Sequence, residues 1–152
     1  MAIDLKGKAI SPALAVAIDT AGHALRMHNN VPLADDEAAV QAIIDGFSGT
    51  DAVVPVVAAI KAKARDVIVA RYPEWKQANM TARAVEITRV MAGGAGLSQS
   101  EADELQALES AWTWIKSVRA ASDGHEDAVM ALAAADDFPA IVGYDLGVGW
   151  PT

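Results

Sequence analysis

Cysteine is absent from the 152 residues. That excludes disulfides, thiolate nucleophiles and zinc–thiolate sites, and it is compatible with a reducing compartment. No basic run occurs, and 20 acidic against 12 basic residues leave a net charge of −8. Binding built on Lys and Arg contacts to phosphates is therefore not expected, and no nucleic-acid partner is anticipated. No apolar run reaches the roughly 20 residues that a membrane-spanning helix needs. The opening Met1-Ala2-Ile3-Asp4-Leu5-Lys6 lacks the charged-then-apolar order of a secretory signal. The expectation is a protein in solution with no membrane partner.

What is present is a globular composition, 53% apolar and 21% charged, of about one domain's length. Much of the apolar share is alanine, which favours helix and adds little burial per residue. Helices packed closely through small side chains fit this better than one large core, and the expected class is all-α.

Residues 1 to 10 read as an extended lead-in. Ser11-Pro12 is a helix start, with serine as N-cap and proline at the first helical position, and a helix is predicted over about 12–20. Gly22 interrupts the spacing. From His23 to Val31 the pattern fits either a helix end or a short strand, and Asn29-Asn30 before Val31-Pro32 signals a turn. Asp35-Asp36-Glu37 opens a stripe of Ala39, Val40, Ile43, Ile44 and Phe47. Acids at a helix N-terminus complement the macrodipole, which accounts for them without paired-carboxylate catalysis. Gly46 and Gly49 are expected to end that helix and Asp51 to start the next. Its face is Val53, Val57, Ile60, Ala64, Val67 and Ile68, with Pro55 in the first turn, where the missing N–H is harmless. Lys61, Lys63, Arg65 and Arg71 read as a solvated face. Pro73 predicts a boundary near Tyr72.

The stretch Tyr72–Arg119 predicts a helical hairpin, about 74–92 and 98–121. Met80, Ala84, Ile87 and Met91 form one stripe of the first helix. Gly93-Gly94-Ala95-Gly96 follows a helix and precedes no Lys-Ser/Thr pair, so it reads as a turn and not as a phosphate loop. Ser98-Gln99-Ser100-Glu101 is a capping box. Leu105, Leu108, Trp112, Ile115 and Arg119 then keep three–four spacing. Trp114 lies roughly 160–200° round the helix from Trp112. One of the two is expected in the core, Trp112, and the other marks a second contact surface. Ser122-Asp123-Gly124 predicts a break, followed by a shorter helix over about 125–135. Beyond it the tail is expected to be non-helical, with Phe138, Tyr144 and Trp150 set among glycine and proline. The reading thus divides the chain into an N-terminal helical segment (1–50), a helical core (51–135) and an extended tail (136–152).

No catalytic pattern stands out. His23 and His28 are five apart, whereas helical metal pairs sit four apart, and His125 stands alone. There is no G-x-S-x-G elbow and no G-x-G-x-x-G after a strand. No catalytic, cofactor or metal residues are assigned, no cofactor is expected, and the chain is not read as an enzyme. The residues read as partner-binding are Trp75, Trp114, Phe138, Tyr144 and Trp150.

The run Y-P-E-W-K-Q-A-N-M-T-A-R-A-V-E, the glycine turn, the S-x-x-E cap and A-W-T-W-I-K-S-V-R-A-A-S together resemble helical segments of small tail proteins of tailed bacteriophages. The closing G-W-P is similar to the ends of such proteins, and V-P-L-A-D-D-E-A-A-V-Q-A-I-I-D-G-F to what precedes the hairpin there. The resemblance covers roughly residues 50 to 152 and carries no active-site motif. It implies protein–protein binding, as a tail-fibre assembly factor (a chaperone) or as a small tail-tip or fibre-associated virion subunit. Its setting would be the host cytoplasm during assembly, or the virion tail. The alternative is a cytoplasmic helical adaptor or regulator that binds a host protein. An alanine-rich chain with opposed tryptophans also leads us to expect a homo-oligomer or an obligate partner complex.

Overall fold

A computed structural model describes residues 3–5, 11–28 and 31–152. Most of the lead-in and the Asn29-Asn30 turn lie outside the described residues. The described chain is mostly helical, as its composition predicts, with one small two-stranded sheet. It divides into two compact units. The first comprises Met1–Ile60 with His125–Leu146, and the second Lys61–Gly124 with Gly147–Thr152. Two long helices each continue from one unit into the other: α3 (Gly49–Arg71) and α5 (Gln99–Ala134).

In the first unit, α1 (Pro12–Thr20) starts as its sequence predicts. The Ser11 hydroxyl accepts from the Leu14 N–H at 3.1 Å, and Leu14 and Ile18 are buried. Gly22, at φ +79°, closes the helix, where the N–H of His23 reaches back to the Ile18 carbonyl. A left-handed residue of this kind is what glycine supplies without steric cost. Two short antiparallel strands follow, β1 (Leu25–His28) and β2 (Val31–Ala34), in register Leu25 to Ala34. The strand alternative for His23–Val31 is therefore the one adopted over Leu25–His28. The Asp35 carboxylate accepts from the N–H groups of Ala24 and Asp36 at 3.1 and 3.0 Å. The Ala24 bond in particular holds its pKa below the ordinary aspartate value.

Asp36 caps α2 (Glu37–Gly46), whose Val40 and Ile44 are buried, and Phe47 is buried just beyond it. Gly49 does not end this helix. It opens α3, because Ser48 and Asp51 form a capping pair: the Asp51 carboxylate accepts from the Ser48 N–H at 2.8 Å and hydroxyl at 2.6 Å. The earlier start puts Pro55 beyond the first turn, inside the helix, at the cost of the bond to the Asp51 carbonyl. Within this unit, α5 ends in a left-handed residue, Asp136 (φ +50°). Asp137 N–H bonds the Leu132 carbonyl and Asp136 N–H that of Ala133, the Schellman pattern. The expected non-helical tail is interrupted by α6 (Phe138–Val142). Asp137 caps it by accepting from Ala140 N–H, Pro139 suits its first turn, and Phe138 and Ile141 are buried.

In the second unit the hairpin is α4 (Glu74–Ala92) against the first part of α5. Tyr72 and Pro73 mark the boundary, and the capping box forms, with Glu101 accepting from the Ser98 N–H at 2.9 Å and hydroxyl at 2.8 Å. These bonds, the backbone one foremost, lower the pKa of Glu101. Met80, Ile87, Leu108 and Ala111 form one buried cluster, while Ala64, Ile68, Ile115 and Val118 form another. Met91, expected on the core stripe, is 52% exposed, because it lies in the last turn of α4.

The predicted break at Ser122-Asp123-Gly124 does not occur. The buried positions of α5 run Leu108, Ala111, Ile115, Val118, Ser122, Val129 and Ala133, so Ser122 falls on the apolar stripe at the same three–four spacing. Poor helix formers cost about 1 kcal/mol or less each, and a continuous packed face outweighs them.

Candidate binding surfaces

An apolar groove of about 610 Å³ opens on the first unit between α1, α2 and the start of α3. Pro12, Val16, Ile43, Phe47, Val54 and Pro55 are among the residues that line it. Two are valines left largely in water, Val16 at 63% exposure and Val54 at 64%. They are exposed because the buried faces of their helices point elsewhere: Leu14 and Ile18 in α1, Ala52 and Val53 in α3. Among the described residues Asp51 is the one charged residue in the lining, and it is already engaged with Ser48. In the sequence the groove's signal is a pair of valines, Val16 and Val54, lying off the apolar stripes of their helices.

The five aromatics read as partner-binding are divided between the two units. Phe138 is buried in the first unit and stacks on Phe47, with ring centroids 6.2 Å apart. Tyr144 is half-buried, its hydroxyl 2.8 Å from Nδ1 of His125. Trp75, Trp114 and Trp150 belong to the second unit. Trp75 is 67% exposed, while Trp114 and Trp150 pack half-buried beside the Ile115–Val118 cluster. Tyr72 meets Trp114 edge-on at 5.6 Å, and the Arg71 guanidinium lies 4.6 Å from the Trp114 ring. The Trp114 indole N–H donates to the Thr152 carbonyl at 3.3 Å. Trp112 is also only half-buried, touching both clusters of this unit. The expected split between a core Trp112 and an outward Trp114 thus gives way to two tryptophans each partly covered. The returning segment 147–152, far away in sequence, supplies part of the cover on the Trp114 side.

Several charged groups in the second unit are paired. Arg83 grips Glu104 with Nε at 3.0 Å and Nη2 at 2.9 Å, and its Nη1 reaches Glu86 at 2.9 Å. These bonds, Glu104 first, hold the guanidinium firmly in its charged form. A more polar cavity of about 490 Å³ is lined by Lys61, Arg65, Arg119, Glu74 and Asp123 among others, and there Arg65 meets Glu74 at 2.7 Å. Among the described residues no three His, Cys, Asp or Glu side chains converge as metal ligands do. No single helix among them is long and apolar enough to cross a membrane. α2 and α3 together pass that test but are bent by 72°.

No protein-family model matches the chain, nor does any curated protein or solved structure.

Proposed function

We propose that the chain is a bacteriophage tail protein that works by protein–protein binding. Its role is that of a tail-fibre assembly factor or of a small tail-tip or fibre-associated virion subunit. One observation carries the binding part of this reading: the open groove between α1, α2 and α3, with valines from two helices left in water. Contiguous apolar surface of this kind is stable in solution when a partner covers it. Among the described residues the groove's lining brings together no set of polar groups of the kind that fixes a small ligand or a substrate. The phage part rests on the resemblance of residues 50 to 152, through the hairpin and the closing Gly149-Trp150-Pro151.

Affinity purification of the full chain from infected cells tests the reading. A tail or tail-fibre protein is expected to co-purify, and mass spectrometry of purified virions then separates the two roles. Presence in particles marks a subunit, and absence marks an assembly factor. Failure to co-purify with any tail protein, together with absence from particles, overturns both.

A further inference from the structure

The chain's charge is unevenly placed. The first unit holds twelve Asp and Glu against three Lys and Arg, a net −9, whereas the second holds eight against nine, a net +1. The segments that line the groove share this imbalance. The three segments that line it, Pro12–Thr20, Glu37–Gly46 and Gly49–Ile60, carry Asp19, Glu37, Asp45 and Asp51, and no lysine or arginine. An apolar groove in a unit of net −9 selects an occupant with an apolar stripe and a cationic flank.

We infer that the groove takes a basic amphipathic helix of another protein. This rests on the protein-binding reading above and names the partner's chemistry at the same site. The occupant's apolar side chains cover Val16 and Val54, and its Lys and Arg residues meet the net negative charge of the first unit. The other occupants fit less well. Two first units set groove to groove bring −9 against −9, so a symmetric dimer through this face is repelled. A membrane surface rich in anionic headgroups is repelled likewise.

The test selects binders to the full-length chain from a displayed library of random peptides of about 16 residues, some four helical turns. Enriched peptides are expected to combine apolar residues at helical spacing with a net charge of about +3 or more. The double variant Val16→Asn/Val54→Asn, at positions exposed enough to keep the fold, is checked by circular dichroism. It is expected to weaken those peptides about tenfold or more, as loss of roughly one buried aliphatic contact does. Enrichment of neutral or acidic peptides, no enrichment, or binding indifferent to the two substitutions overturns the inference. So does sedimentation showing a dimer of the chain that the same variant dissolves. If the peptides fail while a tail protein still co-purifies, the inference falls and the functional reading stands. If the peptides bind as expected while no tail protein co-purifies and particles lack the chain, the functional reading falls and the inference stands.

Discussion

At Gly49 two backbones of the first unit meet closely. A Cβ there would run into the backbone of Ala133, whose carbonyl carbon and Cα lie only 2.9 Å from the position it would occupy. The Gly49 N–H meanwhile donates to Asp136 Oδ1 at 2.8 Å, and Asp136 itself holds a left-handed backbone. The start of α3 and the end of α5 are thus joined at a point where only a bare backbone fits. Gly49→Ala is expected to lower stability by about 2–3 kcal/mol, since backbone against backbone has little room to yield. Urea unfolding followed by circular dichroism measures it, and an unchanged or raised midpoint refutes the close approach. In the sequence Gly49 reads as a helix terminator. Its actual role depends on residues 84 positions away, which no local pattern can announce.

At the scale of elements, α5 is the instructive case. Its capping box, its leucine and isoleucine stripe and its hairpin partner are all legible in sequence, because each is a matter of residues three or four apart. Its length is not. Ser122-Asp123-Gly124 has the composition of a turn, but Ser122 is buried on the apolar stripe and the helix runs on to Ala134. Gly124 offers a direct check, because a Cβ there meets nothing within 4 Å and the backbone is helical. Gly124→Ala is expected to raise stability by about 0.5–1 kcal/mol, the gain of alanine over glycine inside a helix. Thermal or urea denaturation reads it out, and no gain would favour a broken helix. The same glycine-to-alanine change therefore has opposite signs at residues 49 and 124. In α6 the competing signals were Pro139 and the scattered Gly143, Gly147 and Gly149. The Asp137 cap and the burial of Phe138 and Ile141 prevailed over them.

At the scale of the molecule, the uneven charge has a consequence that does not depend on any partner. Twelve carboxylates against three cations in the first unit repel one another at low ionic strength, and salt screens that repulsion over about 10 Å at 0.1 M. Raising salt from about 10 to about 200 mM is expected to raise the thermal midpoint by a few degrees, roughly what 1 kcal/mol does in a chain of this size. A flat or falling midpoint would show that exposed pairs such as Arg83–Glu104 outweigh the repulsion. The sequence by itself determined the helical class, most helix starts, the hairpin and its turn, since caps and periodicity are local chemistry. It determined the total charge but not its distribution, which follows from His125–Leu146 joining the N-terminal residues in one unit. Only the tertiary structure decided which aromatics are covered and that Val16 and Val54 share an open groove. Those outcomes depend on which distant segments pack together, and side-chain spacing along one helix carries no record of that choice.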